Sequence, residues 1–325
     1  MDARVITFAA PGDPSVLRLE TIELGPPAAG EALVRQSAIG LNYLDVYHRS
    51  GHYTLPMPSG LGSEAAGVVE AVGPGVTEVQ VGDRVAYAGG APGAYADLRN
   101  LPAGRLVKVP DAISDEQAAA VLLKGMTVEY LLNRCFAVQA GQWVLFHAAA
   151  GGVGLIAGQW GKALGARMIG VARGTVRCQQ ALAQGYEVVI DRASEDVGER
   201  VKALTGGAGV PVVYDSVGQA TFEPSIDCLA PRGTFVSFGA TTGEVPPVPA
   251  SLLQHRGSLY FTRPTLVTYT AKRAELDASA AAVFAMVADG KITVEINQRY
   301  ALAEAEQAHR DLEGGRNIGS SILLP

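Results

Sequence analysis

Between Val144 and Gly154 the chain reads V-L-F-H-A-A-A-G-G-V-G, an apolar run that passes into closely spaced glycines and then into the helix-forming stretch Leu155–Leu164. That is the layout of a dinucleotide fingerprint, in which free N–H groups at a helix start meet phosphate charge. Gly151 then lets the chain turn tightly beside a pyrophosphate, and Gly154 lets the helix pack close to the sheet. Ala149 occupies the place of the first fingerprint glycine. A second apolar run, Met168–Ala172, follows the helix and predicts the next parallel strand of a right-handed β-α-β unit. A purely structural turn also needs small residues at such positions, but the flanking strands favour a nucleotide.

Which nucleotide depends on charge about 20 residues further on, where an acid holds ribose hydroxyls and a base accommodates a 2′-phosphate. Here the sequence is Gly170-Val171-Ala172-Arg173-Gly174-Thr175-Val176-Arg177, with no acid in it. Arg173 or Arg177 is suited to a forked, charge-assisted contact with phosphate. Two ordinary surface arginines are the alternative.

At 325 residues the chain can bury a full core and divide into two domains. Its 26 basic and 32 acidic residues form no block of one sign, which argues against nucleic acid as the main partner. Cys135, Cys178 and Cys228 are dispersed and odd in number, so neither a disulfide framework nor a zinc knuckle is expected. The sequence shows no signal-peptide pattern at its start and no long apolar span. These features lead to the expectation of a soluble cytoplasmic protein with no membrane contact.

The first third holds short β-type runs punctuated by Gly and Pro: Ala3–Ala9, Glu31–Ala38, Ala65–Val72, Arg84–Ala88 and Leu106–Lys108. They predict a mostly antiparallel, partly barrel-like domain. A helix is predicted over Asp115–Leu131, with Ser114 and Gln117 as a capping box. From Trp143 strands alternate with helices. Trp143–His147, Arg167–Val171, Val188–Ile190, Val210–Asp215, Thr234–Phe238 and Ser258–Phe261 predict a doubly wound sheet. A helix over Ala271–Ala288, a strand near Ile292–Glu295 and a helix near Ala303–Leu312 should follow. The closing run Ser320–Leu324 reads as a strand rejoining the N-terminal sheet, which would make the domains discontinuous with a cleft between them.

With these segments in place, the chain resembles the zinc-free quinone oxidoreductases of the medium-chain dehydrogenase/reductase superfamily, the zeta-crystallin group. The likeness runs over essentially the whole chain. Besides the fingerprint it is carried by Gly40-Leu41-Asn42-Tyr43-Leu44-Asp45-Val46-Tyr47, Pro58-Ser59-Gly60-Leu61-Gly62-Ser63-Glu64-Ala65-Ala66-Gly67, Leu123-Lys124-Gly125-Met126-Thr127, Tyr214-Asp215-Ser216-Val217-Gly218 and Ser237-Phe238-Gly239.

The resemblance implies an α/β fold: a doubly wound Rossmann nucleotide-binding domain plus a mostly β, GroES-like catalytic domain. The expected boundaries are 1–124 and 263–325 for the catalytic domain and 125–262 for the NADPH-binding domain. It further implies NADPH as reductant and a homodimer. In the family pattern Asn42, Tyr47, Lys124 and Thr127 line the nicotinamide side, and Gly152 and Val153 follow the pyrophosphate. Ser216, Phe238, Arg263 and Arg316 lie along the cofactor. Arg177 and Arg192 stand where relatives often place a lysine and a tyrosine at the 2′-phosphate, so both positions are basic here.

Zinc-dependent members of the superfamily use Cys and His ligands where this chain has Asn42 and Ser63, and their structural zinc needs a Cys cluster that it lacks. No metal is therefore expected. Of five histidines, His48 and His52 have ligand-like spacing on a helix, but Gly51, Tyr53 and Pro56 favour a mobile loop pair instead. Without a Lewis acid, alcohol oxidation is disfavoured. A quinone, already electron-poor, asks mainly for position. Asn42, Tyr47 and Tyr53 are then the candidate catalytic residues, the tyrosines as walls or hydroxyl donors to the developing oxyanion and Asn42 as an orienting group. For Tyr53 simple packing is the alternative. Two other functions stay open, an NADPH-dependent 2-alkenal or enone double-bond reductase and a non-enzymatic structural or nucleic-acid-binding role.

Overall fold

The computed structural model describes Met1–Pro325. Its first strand, β1 (Asp2–Phe8), buries Ala3, Ile6 and Phe8 and pairs antiparallel with β2 (Arg18–Glu23). All six side chains of β2 are exposed, so backbone pairing alone makes it a strand and no burial pattern announces it in the sequence. The chain continues through β3 (Glu31–Gly40), α1 (Tyr43–Ser50), β4 (Ser59–Gly60), β5 (Glu64–Val72), β6 (Arg84–Ala88), β7 (Leu98–Pro102) and β8 (Val107–Lys108). Here β2, β1 and β4 form one small sheet, while β3, β5, β6 and β8 run antiparallel through a larger one, with β7 also on β3. Ile39, Leu61, Val69, Val85 and Tyr87 centre its core.

Helix α2 (Asp115–Glu129) starts at the expected capping box. The Gln117 N–H donates to Ser114 Oγ at 3.1 Å, and the Ser114 N–H to Gln117 Oε1 at 3.0 Å. Beyond Glu129 it widens into a π-helical turn, Tyr130–Cys135, and the Tyr214 hydroxyl donates to the Leu131 carbonyl there at 2.8 Å.

The next elements are β9 (Trp143–His147), α3 (Gly152–Ala163), β10 (Arg167–Ala172), α4 (Thr175–Ala183), β11 (Val188–Asp191), α5 (Val197–Leu204) and β12 (Val210–Asp215). After them come α6 (Phe222–Asp227), β13 (Leu229–Ser237), α7 (Ala250–His255), β14 (Tyr260–Thr262) and α8 (Leu266–Tyr269). Every pairing is parallel, in the order β11-β10-β9-β12-β13-β14. The order reverses between β9 and β12, the switch point at which such sheets bind ligands. The doubly wound sheet expected from the sequence is thus the one formed.

The chain ends with α9 (Arg273–Ala288), β15 (Ile296–Ala301), α10 (Ala305–Glu313) and β16 (Ser320–Leu324). As anticipated, β16 joins the N-terminal sheet, Ile322 opposite Gly40 and Leu323 opposite Ile39. The strand expected near Ile292–Glu295 begins later, at Ile296. Ile292 is instead buried in the turn that closes α9, its N–H on the Met286 carbonyl at 3.0 Å. Contacts divide the chain into one unit of Met1–Met126 with Thr270–Pro325 and another of Thr127–Tyr269. No helix is long and apolar enough to cross a membrane.

One close approach fixes the second unit. A Cβ at Gly154 would lie 2.4 Å from the Ala148 carbonyl oxygen and 2.6 Å from that of Ala149. Gly154→Ala should therefore cost about 1–3 kcal/mol and lower the calorimetric melting midpoint. An unchanged midpoint would mean that α3 can slide.

Candidate active site

The glycine turn stands at the carboxyl end of β9. Ala148 adopts φ 52°, and the Ala149 N–H reaches across to the Val171 carbonyl at 3.0 Å, so the turn is tied to β10. Gly151 is the N-cap of α3 and has no side chain to bond the first helical N–H groups. Gly152 and Val153 begin the helix behind it. A bare helix start with a basic loop nearby fits a pyrophosphate and a further phosphate.

That basic loop is held by an acid that spacing along the sequence did not reveal. Asp191, at the end of β11, accepts the Gly174 N–H at 2.8 Å and the Ala193 N–H at 3.0 Å through Oδ1. These backbone bonds, with Arg173 and Arg192 nearby, hold its carboxyl below the ordinary range. Arg173 and Arg192 are exposed around it, and Arg177 lies on the first turns of α4. Asp191 braces the loop.

A second feature also escaped the sequence reading. His147, Asp215 and Ser225 form a fully buried group, Ser225 Oγ lying 2.8 Å from His147 Nε2 and donating to Asp215 Oδ2 at 3.1 Å. Asp215 Oδ1 meanwhile accepts the N–H groups of Val217 and Gly218. Burial pushes the His147 imidazole down, which favours its neutral form against the pull of Asp215. The group joins the loops that follow β9 and β12. Its residues come from three segments, and their meeting appears only once the sheet is formed. Ser216 follows directly, the Phe238 N–H bonds the Asp215 carbonyl, the Phe238 ring lies 5.5 Å from that of Phe146, and Arg263 donates to the Ser237 carbonyl. Thr127 is buried on α2.

In the other unit Asn42 opens α1, and its surroundings are polar and dry. Asp45 is wholly buried and accepts the Asn42 N–H, the Ser63 hydroxyl and the Tyr95 hydroxyl, each at 3.0 Å. Burial pushes its carboxyl up to about 7 against the pull of those donors. Tyr95 also lies 3.1 Å from Nε2 of His309, whose imidazole burial drives down to about 3. Glu64, equally buried, accepts the Asn42 amide at 2.8 Å and the Leu123 N–H at 2.6 Å. Its burial raises its carboxyl, opposed first by the Lys124 ammonium 3.7 Å away. The Asn42 amide nitrogen is thereby engaged, which suits an orienting role. No three His, Cys, Asp or Glu side chains converge as a metal-holding group.

Helix α1 ends at Gly51, φ 84°, and the chain folds back so that the Tyr53 N–H bonds the Tyr47 carbonyl at 3.0 Å. His48 therefore lies within a helix rather than in a mobile loop, because Gly51 terminates α1 only after it. The Tyr47 and Tyr53 rings meet at 5.3 Å and 64°. Asn42, Lys124, Tyr47 and Tyr53 share this unit with Arg316, which is exposed and bonded to Asp311 at 2.7 Å.

Two family models match the chain, one described as alcohol dehydrogenase GroES-like domain over residues 28–111 and one as zinc-binding dehydrogenase over residues 152–278. A quinone oxidoreductase of Pseudomonas aeruginosa is 51% identical over 324 residues, covering 99% of this chain and 100% of the relative. The chain belongs to the zinc-independent quinone oxidoreductase family. Within that family the crystal structure of the Escherichia coli quinone oxidoreductase complexed with NADPH has a TM-score of 0.97 at 47% identity, covering 99% of this chain and 100% of that one. A 2-haloacrylate reductase from a Burkholderia species is 40% identical, covering 97% of this chain and 96% of the relative.

The buried Asp45 and His309 make opposite demands on pH. The fold keeps Asp45 protonated up to about 7, so its stabilisation is present at low pH and is lost as pH rises through that value. His309 stays neutral in the fold down to about 3, so its stabilisation is present above the ordinary imidazole range and is lost as pH falls. In the wild type the two slopes offset each other. Relative to the wild type, between about pH 4.5 and about pH 6.5, the stability of Asp45→Asn should climb with rising pH and that of His309→Gln should decline, each by ~1.4 kcal/mol per pH unit in urea titrations. Slopes of one sign in both variants would refute the assignment.

Proposed function

We propose that the chain reduces quinones with NADPH by direct hydride transfer, without a metal, and does so as a homodimer. The observation that carries the reading is its likeness to quinone oxidoreductases over the whole chain, with the glycine turn, the basic loop and the polar start of α1 all present.

The residues fit the cofactor. Gly151, Gly152, Val153 and Gly154, at the start of α3, would hold the pyrophosphate, with Ala149 buried behind them and no room for a side chain at Gly154. Arg173, Arg177 and Arg192 would take the 2′-phosphate, since the carboxylate beside them is bonded to backbone N–H groups. Ser216, Phe238 and Arg263 at the ends of β12, β13 and β14 would flank the dinucleotide, as would Thr127. From the other unit we assign Asn42, Tyr47 and Lys124 to the nicotinamide end and Arg316 to a peripheral contact. When bound, NADPH supplies hydride from C4 of its nicotinamide. Asn42, fixed by Glu64, orients; Tyr47 and Tyr53 give the flat quinone ring aromatic walls and hydroxyl donors.

For the dimer, support comes from β14, an edge strand whose Tyr260 is 63% exposed and which a second copy can pair with. A monomeric mass in analytical ultracentrifugation would remove that part of the proposal. The relative that is a 2-haloacrylate reductase makes double-bond reduction the second reading.

Assays of NADPH and NADH oxidation with benzoquinone, naphthoquinone and enones test the function. NADPH should be preferred, and Arg177→Ala should weaken NADPH binding about tenfold while leaving NADH unchanged, as loss of one charge-assisted contact implies. Brisk enone turnover with no quinone turnover would transfer the assignment to the second reading.

A further inference from the structure

The turn after α1 assembles more than the two tyrosines. A Cβ at Gly51 would lie 2.9 Å from Pro11 Cβ, and its φ of 84° is one that side chains rarely adopt, so glycine is required there. The fold-back brings the imidazole of His52 4.9 Å from the Tyr47 ring and 5.0 Å from the Tyr53 ring. Three rings thus close one aromatic cluster, and His52 is its exposed member.

Reduction of a quinone to a hydroquinone consumes two electrons and two hydrogens. Hydride brings both electrons and one hydrogen, leaving an oxyanion that must take a proton. We infer that His52 is a catalytic residue, the acid that gives this proton to the quinone oxygen. The inference rests on the quinone reading above. In the step the imidazolium N–H bond breaks, its electron pair stays on the ring nitrogen, and the O–H bond of the hydroquinone forms. Water at the exposed ring then restores the proton.

Other candidates are less suited. The ring of His48, 6.1 Å from that of Tyr53, is half-buried, and burial lowers its imidazole, which disfavours the charged, proton-giving form. The amide of Asn42 is engaged by Glu64. Against His52 stand the titratable Tyr47 and Tyr53, and His48 packs on the Tyr53 ring. Of the charges on neighbouring elements, Asp45 is buried with its donors and Arg49 is paired with Glu313 of α10. Arg310 of α10 is paired with Glu306, and Asp13, in the segment beside Arg49, is held by Ser15. Imidazole is the one side chain that ordinarily exchanges its proton near neutral pH.

The test is benzoquinone turnover with NADPH across the neutral pH range for the wild type and His52→Leu, with NADPH dissociation constants from fluorescence titration. The wild-type rate should fall across that range as pH rises. At the acid end His52→Leu should be about a hundredfold slower, with a flat profile, near-unchanged NADPH affinity and partial rescue by added imidazole. A variant that keeps the wild-type rate, or slows with the profile unaltered and no rescue, overturns the assignment of His52 and leaves the quinone reading intact. A wild type that oxidises NADPH with no quinone overturns both.

Discussion

At Gly154 the first turn of α3 lies against the carbonyl oxygens of Ala148 and Ala149, closer than any side chain permits. Because the helix can come so near, β9 passes into α3 without a long loop, and β10 returns parallel beside β9. The Tyr186 hydroxyl seals the contact by donating to the Gly154 carbonyl at 2.7 Å. Everything that later strands bring to the carboxyl edge of this sheet, from the Arg173 loop to Asp215, is placed relative to that junction. A backbone contact of this kind carries no chemistry itself, yet it decides where N–H groups face a phosphate.

The other unit depends on a different economy of groups. Two carboxyls, Asp45 and Glu64, sit fully inside the protein, where a lone charge would be severely penalised. Both tolerate the interior because their oxygens meet donors from four segments: the start of α1, Ser63, Tyr95 and Leu123. The same bonds immobilise Asn42 and the first turn of α1. With Gly51 and the Tyr53 N–H fixing its last turn, this helix of 8 residues is tied at both ends. A short helix gains little from its own hydrogen bonds, so those ties are what keep the Tyr47 ring in place.

The sequence made the parallel sheet legible because each strand is a run of apolar residues ended by glycine or polar turn residues. It hid β2, whose side chains are all exposed, and it misplaced the strand that begins at Ile296, because Ile292 is apolar for a different reason, the closing of α9. The glycine turn could be located from local spacing alone. Asp191 could not, since it reaches the Gly174 loop from an adjacent strand. Helix α1 was obscured by Gly51 and Pro56, which read as loop signals although the first of them is a helix terminator. Networks such as that of Asp45, Tyr95 and His309 join residues far apart in the chain, and no pattern within a window records them.

Ser225, His147 and Asp215 have the composition of a hydrolase triad, and a search by residue type would stop there. Their environment removes the chemistry. The serine is 0% exposed and its oxygen already serves both neighbours, so no acyl group can reach it. The aspartate faces the hydroxyl and two backbone N–H groups, and burial disfavours a charged ring. The same three side chains that elsewhere make a nucleophile act here as a rivet through the sheet, and sealing them from water is what makes them inert.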